Sequence, residues 1–199
     1  MSQPHTLREV AGLGAEPCSL ADSAVVMIDC QNTYRQGVMQ LVGVEEALKE
    51  AQRLLERARA AGSPIIHIAH DSGPGSAYDI SAEIGQIADL VAPQGDEPTV
   101  IKNFPNSFVK TDLHERLQAL GRQSVIFAGF MTHMCVNSTA RGAFNLGYRT
   151  TVVGNATATR DLPSPDGSVI KARDLHLASL SAVADLFTVV VNGVDELPG

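Results

Sequence analysis

Apolar residues along the chain follow two alternating patterns. Six short runs rich in Val and Ile are typical of strands covered on both faces, and they span 24–28, 64–69, 99–101, 124–129, 150–154 and 187–191. Between them, apolar residues recur at helical spacing over 44–61, about 111–120, 136–144 and 175–183. This alternation predicts right-handed crossovers and a three-layer α/β/α sandwich around a six-stranded, mostly parallel sheet.

The length of the chain indicates one domain. With 199 residues, of which 44% are apolar, the chain can bury a large core, so we expect a single domain over 1–199. The first seventeen residues mix Gly, Pro and polar types without a period. We expect an N-terminal arm over 1–20, and we find no repeat or domain boundary in the sequence.

Charge and cysteine content narrow the function classes. The net charge of −7, with its acidic and basic residues scattered, argues against a nucleic-acid or membrane partner and leaves a small-molecule substrate. No apolar run approaches the ~20 residues of a membrane span, and the start of the chain lacks a signal-peptide pattern, so a cytoplasmic location is expected. Three widely spaced cysteines fit neither a disulfide framework nor zinc motifs, and we expect free thiols.

Chemically active residues directly follow the predicted strands. In an open parallel sheet these positions share one edge, where ligands bind. They comprise Asp29 and Gln31 after the first strand, His70 and Asp71 after the second, Lys102 after the third, 130–135 after the fourth and Asn155 after the fifth. An acid, a lysine and Cys135 on one edge form a nucleophile set, because a carboxylate can accept the thiol proton and an ammonium can stabilise both anions.

The position of Cys135 favours reactivity. It is expected to begin a helix after a tight turn, where free backbone N–H groups and the helix dipole favour a thiolate and can hold an oxyanion. A thiolate there can attack an amide carbonyl, expel an amine protonated by Asp29 and leave a thioester for water to hydrolyse. Cys30 is the competing nucleophile, but strand alternation should turn it away from Asp29 into a packed layer.

Three segments, VVMIDCQN, IKNFPNSF and AGFMTHMCVNSTARGAFNLGYRTTVVGNATATRD, resemble the signature segments of the isochorismatase-like cysteine hydrolases. The resemblance extends over about 24–187 and implies a Rossmann-like fold of six parallel strands. It also implies that Asp29 is the general acid/base, Lys102 the electrostatic partner and Cys135 the nucleophile. A cis peptide between Phe130 and Met131, an oxyanion hole made by the N–H groups of Met131 and Cys135, and homo-oligomers, often dimers or tetramers, are further implications.

Other residues near these positions are candidates for the pocket. We expect the substrate-binding residues to be Gln31, Tyr34, Phe104, Thr132 and His133. Arg160 and Asp161, which follow the fifth strand, are expected to close the site from the same or another chain. His67, His70 and Asp71 suggest a metal, but positions 67 and 70 fall on opposite faces of a strand, so we predict no metal and no cofactor.

The sequence also allows purely structural roles for these residues and other functions for the protein. Asp29 alone could cap a turn and Lys102 alone could be a solvated surface residue. Hydrolysis of a small-molecule amide is our leading prediction for function. The alternatives are vinyl-ether hydrolysis of the isochorismatase type, which needs Asp29 as an acid and no thiol, and a non-catalytic binding role.

Overall fold

The structure, a computed structural model, describes residues 4–199; residues 1–3 of the predicted arm lie outside the described residues. In chain order the strands are β1 (Ser23–Ile28), β2 (Ile65–His70), β3 (Thr99–Lys102), β4 (Ser124–Phe130), β5 (Arg149–Ala158), β6 (Leu162–Pro163), β7 (Val169–Ile170) and β8 (Val189–Val191). All except β6 and β7 form one sheet in the order β3-β2-β1-β4-β5-β8. Every neighbouring pair in it is parallel, which confirms the predicted α/β fold.

Helices cover both faces of this sheet. They are α1 (Leu7–Val10), α2 (Val44–Ala61), α3 (Leu113–Ala119), α4 (Asn137–Asn145) and α5 (Ala172–Ala184). In β1, Val25 and Met27 pack in one apolar cluster with α2, whereas Val26 and Ile28 pack in a second cluster with α3 and α4. Alternate residues of one strand therefore supply both cores, which is why the strands are apolar throughout. None of the helices within residues 4–199 combines the length and apolarity needed to cross a bilayer.

The predicted arm contains a short helix that the apolar pattern did not show. Thr6 and Glu9 form a capping box around the first turn of α1. The backbone N–H of Arg8 donates to the carbonyl of Asp185 at 2.8 Å, and the N–H of Cys18 donates to Thr151 Oγ1 at 2.8 Å. These bonds join the described part of the arm to β5 and to the end of α5.

The fifth strand is longer than predicted, and the difference moves one candidate residue. We expected this strand to end at Gly154, but β5 pairs with β4 again beyond an irregularity, where Phe130 lies opposite Ala158. A side chain at Gly154 would lie 3.2 Å from the carbonyl of Val191, so this glycine accommodates β8 and does not end the strand. The expectation that Asn155 follows the strand is therefore wrong: Asn155 lies within β5 and lines a cavity of about 440 Å³, together with Thr157, Thr159 and His176.

Candidate active site

The candidate site lies where the sheet order reverses. From β1 the sheet continues through β2 to β3 on one side, and through β4, β5 and β8 on the other. Ligand crevices in open α/β sheets form at such switch points, beyond the carboxyl ends of the strands. Asp29 directly follows β1, and the segment that carries Cys135 directly follows β4. Lys102 is the last residue of β3.

The three predicted catalytic side chains meet beneath the surface. Lys102 Nζ lies 2.7 Å from Asp29 Oδ2 and 3.4 Å from Cys135 Sγ. It also lies 3.1 Å from Nδ1 of His70, the residue that pairs with Lys102 in the β2–β3 register. These three acceptors match the three N–H donors of a lysine ammonium. Because Cys135 is only 5% exposed and the other two members are more deeply buried, the ammonium is held in one position.

Burial sets the protonation of this cluster. Burial raises the pKa of Asp29, while the charge of Lys102 opposes the rise. The pKa of the Cys135 thiol is raised to about 12, first by burial and then by the charge of Asp29, and Lys102 again acts in the opposite direction. The helix position was expected to favour a thiolate, whereas burial and the Asp29 carboxylate act in the opposite direction and favour the protonated thiol beside the Asp29–Lys102 ion pair.

The backbone of β4 approaches β1 very closely beside Asp29. A Cβ placed on Gly129 would lie 1.9 Å from the carbonyl oxygen of Ile28, and Gly129 has φ 120°. Asp29 itself has φ 48°, in the left-handed region that few non-glycine residues occupy. Its N–H donates to the carbonyl of Ile68 on β2 at 3.0 Å. Close strand contact therefore positions the carboxylate at the switch point.

The two N–H groups predicted to form the oxyanion hole lie at the turn that carries Cys135. The peptide between Phe130 and Met131 is cis. One wide helical turn, Thr132–Val136, follows it, and the carbonyl of Met131 accepts the N–H of Val136 at 3.2 Å. Within residues 4–199, no acceptor outside this turn takes the N–H of Met131 or of Cys135. We had expected Cys135 to begin α4, but it lies inside the helical turn that precedes α4.

Tyr34 and Gln31 are both buried beside the triad. The Tyr34 ring packs edge-on against Phe130, with centroids 5.6 Å apart, and against Tyr78 at 5.8 Å. The amide nitrogen of Gln31 donates to the carbonyl of His70 at 2.9 Å, and its oxygen accepts the N–H of the same residue at 2.9 Å. The Gln31 side chain therefore joins the loop after β1 to the end of β2.

Thr132 and His133 belong to a hydrogen-bonded group next to Cys135. Thr132 Oγ1 donates to Thr157 Oγ1 at 3.0 Å and lies 3.0 Å from Nδ1 of His176. Since Thr157 itself donates to a backbone carbonyl, the Thr132 oxygen accepts the His176 Nδ1 proton. Nδ1 of His133 lies 2.6 Å from Thr159 Oγ1. Thr157 lies near the end of β5 and Thr159 directly follows that strand, so both lie beyond its predicted limit.

Phe104 lies apart from the residues just described. Its side chain is 39% exposed, and Lys110 Nζ lies 5.3 Å from the ring centroid. Asp161 is also directed elsewhere: it accepts from Lys171 Nζ at 2.9 Å and from the N–H of Ala172, where α5 begins. Within residues 4–199, neither side chain is among those that contact the triad or its hydrogen-bonded neighbours.

The structure adds residues that sequence reasoning missed. Tyr78 packs its ring against both Tyr34 and His70, whose ring centroid is 5.1 Å away. His70 was placed at the correct edge but was weighed only as a metal ligand. Tyr78 and His176 lie in segments whose sequence has no motif, so only the tertiary contacts identify them.

His67 and His70 contact different partners, which bears on whether they could share a metal ion. Nε2 of His67 lies 2.9 Å from Glu97 Oε2, whereas His70 contacts Lys102, so the two histidines point to opposite faces as expected from strand alternation. Among residues 4–199, no group of three or more His, Cys, Asp or Glu side chains is arranged to hold a metal ion.

The chain resembles known proteins of one family both in sequence and in structure. A family model described as the isochorismatase domain matches residues 23–193. A solved isochorismatase from Pseudomonas putida is 38% identical, with a TM-score of 0.94 over 98% of this chain and 99% of that chain. A secreted isochorismatase effector of Verticillium dahliae is 31% identical over 96% of this chain and 98% of its own length. A ureidoacrylate amidohydrolase of Stutzerimonas stutzeri is 29% identical over 75% of this chain and 76% of its own length.

Proposed function

The chain belongs to the isochorismatase family, whose members include hydrolases, and we propose that it cleaves the C–N bond of a small-molecule amide through a thioester on Cys135. The observation that carries this proposal is the position of one ammonium, Lys102 Nζ, 2.7 Å from a carboxylate oxygen of Asp29 and 3.4 Å from Cys135 Sγ. A nucleophile, a base and a cation within contact distance support covalent catalysis.

In the first step the thiol is deprotonated as it attacks. The S–H bond breaks, its proton passes to the Asp29 carboxylate, and the sulfur forms a bond with the amide carbonyl carbon. Lys102 stabilises the thiolate that develops, which is needed because the pKa of the thiol is raised to about 12 in the resting site. The N–H groups of Met131 and Cys135 bind the carbonyl oxygen as it becomes an oxyanion.

In the second step the amine leaves and water completes the cycle. Protonated Asp29 donates its proton to the amide nitrogen, the C–N bond breaks and a thioester remains. Asp29 then removes a proton from water, whose oxygen attacks the thioester carbon. Collapse of that intermediate releases the acid, and the thiolate regains the proton from Asp29.

The similarity to a protein described as an isochorismatase favours a second function, hydrolysis of a vinyl ether. There Asp29 would protonate the vinyl carbon, and water would add to the resulting cation and return a proton to Asp29. The hemiketal so formed would break its C–O bond to release an alcohol and a carbonyl product, and no thiol would take part. The buried carboxyl, whose pKa is raised, suits an acid of this kind. The contact between Cys135 and Lys102 has no role in that reaction, and for this reason we rank amide hydrolysis first.

The experiment is a screen of small amides with ammonia detection, followed by variants assayed on the amide that is turned over. We expect Cys135→Ala to reduce kcat at least about 10⁴-fold, and intact mass with a slow amide to find the acyl adduct on Cys135. Cys30→Ala is the matched control, because Cys30 is also buried but packs in the α2-side cluster, and this variant should keep its turnover.

Two outcomes would contradict amide hydrolysis through Cys135. An adduct on Cys30, or full activity in Cys135→Ala, would show that the reaction does not pass through a thioester on Cys135. Retained turnover of a vinyl ether by Cys135→Ala together with its loss in Asp29→Asn would establish the second function. A chain that binds these compounds and turns over none of them would be a binding protein.

We also propose a single-domain, cytoplasmic homo-oligomer. Three buried free cysteines support a reducing compartment, although one relative is described as secreted. Cell fractionation tests the location, and light scattering of the purified chain tests the oligomer.

A further inference from the structure

A cavity of about 500 Å³ lies between the N-terminal arm and the sheet, and we call it the arm cavity. The arm contributes Arg8 and Leu13 to its wall, and the sheet side contributes Arg149 and Phe187. Arg149 is the first residue of β5, and Phe187 lies two positions before β8. The arm cavity is therefore at the amino ends of these strands, whereas the triad lies beyond the carboxyl ends, so the proposed hydrolysis makes no use of it.

The guanidinium of Arg8 is fixed in position by neutral acceptors. Its Nη1 donates to the carbonyl of Leu186 at 2.9 Å, and its Nη2 donates to the carbonyl of Gly14 at 2.6 Å. Its Nε is buried and has no hydrogen-bond partner among residues 4–199. A guanidinium carries five N–H donors, so two bonds to carbonyls leave three donors unused and the positive charge uncompensated.

Arg149 brings a second positive charge to the same cavity. Burial lowers the pKa of Arg8, and the charge of Arg149 acts in the same direction, while Cys18 opposes it. The Arg149 side chain is exposed, so a ligand that enters the cavity can reach it. The two guanidiniums therefore repel each other in a chain whose net charge is −7.

No acid of this chain neutralises the pair. Within residues 4–199, neither arginine takes part in an ion pair, and the three residues outside that range have no acidic side chain. Glu16 is the one acidic residue in the described wall of the cavity, but it is exposed and does not reach either guanidinium. Desolvated cations without a counterion are costly unless a ligand supplies the acceptors.

The remaining wall and the volume indicate the class of ligand. Leu13, Phe144, Phe187 and Val189 make much of the wall apolar. A volume of about 500 Å³ is within the range of about 300–1,000 Å³ that is usual for small-molecule sites, and it exceeds the size of an inorganic anion. Two guanidiniums match a dianion, and their planar forks suit the oxygens of a phosphate group.

We propose that the arm cavity binds a small organic phosphate, with the phosphate group on Arg8 and Arg149 and the organic part against the apolar wall. Because Arg8 belongs to the arm and Arg149 to β5, the ligand joins the arm to the sheet and stabilises the folded chain. This binding site is independent of the proposed hydrolysis.

The first test is isothermal titration of the full chain with phenyl phosphate and with inorganic phosphate at constant ionic strength. We expect a Kd below about 1 mM for phenyl phosphate, at least about 3-fold weaker binding of inorganic phosphate, and a loss of at least about 10-fold for phenyl phosphate in Arg149→Gln. Arg122→Gln is the matched control, because Arg122 also donates to a backbone carbonyl, that of Ala21 at 2.8 Å, but does not line the cavity.

Equal affinity for phenyl phosphate in the wild type and Arg149→Gln, or an equal loss in Arg122→Gln, would overturn the proposal. Inorganic phosphate that binds as tightly as phenyl phosphate would overturn the contact with the apolar wall. Glu16→Gln removes the acid from the cavity wall and should strengthen binding about 2- to 3-fold. Weaker binding in Glu16→Gln would contradict an anionic ligand at this position.

The second test measures the stabilisation by thermal unfolding. Phenyl phosphate at about ten times its Kd should raise Tm by about 3 °C or more in the wild type and in Arg122→Gln, but not in Arg149→Gln. Arg8→Gln should also abolish the rise, but it removes the bonds to Leu186 and Gly14 and lowers Tm without ligand. For this reason Arg149→Gln is the decisive variant, and a rise in Tm as large as that of the wild type would refute the site.

Discussion

Replacing Lys102 by Met removes the ammonium and keeps an unbranched side chain of similar length in the same buried space. That ammonium lies 2.7 Å from Asp29 Oδ2, and neither side chain is exposed to solvent. Its removal leaves the Asp29 carboxylate buried without an ion-pair partner within residues 4–199. Breaking a buried pair by deleting one member costs about 3–5 kcal/mol of folding free energy. For a chain of this length we expect Tm to fall by about 6–20 °C.

A second substitution separates the unpaired charge from lost packing. Adding Asp29→Asn to Lys102→Met removes the buried charge, so the double variant should recover most of the stability but none of the activity. In Lys102→Met alone, the pKa of Asp29 should rise further above its unfolded value. The folded state then binds a proton more tightly than the unfolded state, so this variant should gain stability as pH falls and lose it as pH rises.

Urea unfolding at pH 5 and pH 7 measures these differences. Lys171→Met is the control, because the Lys171–Asp161 pair, at 2.9 Å, has exposed side chains and should contribute less than about 1 kcal/mol. A loss in Lys102→Met no larger than in this control, or a double variant as unstable as Lys102→Met, would refute the argument from an unpaired buried charge.

Three further predictions follow from the geometry. Gly129→Ala should prevent folding, seen by circular dichroism, because its Cβ would lie 1.9 Å from the Ile28 carbonyl oxygen; a folded, active variant would contradict this contact. Glu97→Gln should lower stability by about 1–3 kcal/mol at pH 7. The pKa of Glu97 is lowered to about 2 in the folded state. Its contribution to the free energy of unfolding is therefore present above its unfolded pKa and is lost as pH falls from 4.5 towards 2. Acid unfolding curves of the variant should lack that pH dependence, and curves like those of the wild type would contradict it. His70→Gln should fold normally and lower kcat by about 10-fold with little change in KM, because it disturbs an acceptor 3.1 Å from Lys102 Nζ; unchanged kcat would show that this contact does not position the ammonium.

Much of the fold could be predicted because its signals are local. The helix α2 has the predicted bounds, Val44–Ala61, since apolar residues at helical spacing define it and Gly62, at φ 69°, ends it. Strands β1, β2 and β4 lie within one residue of their predicted bounds because buried parallel strands are apolar throughout. The hairpin of β6 and β7 was missed, since two-residue strands have no detectable period.

For the candidate site, the sequence by itself determined that Asp29, Lys102 and the Cys135 turn lie at the carboxyl ends of β1, β3 and β4, and strand order then brings Asp29 and the Cys135 turn together. Only the tertiary structure decided how they interact: that Lys102 contacts three acceptors, and that burial and the Asp29 carboxylate raise the pKa of the Cys135 thiol. The reason is that ion pairing and pKa values depend on burial and on distances between segments far apart in the chain. A linear pattern identifies the side chains at one edge of the sheet, but the packing around them sets their charge.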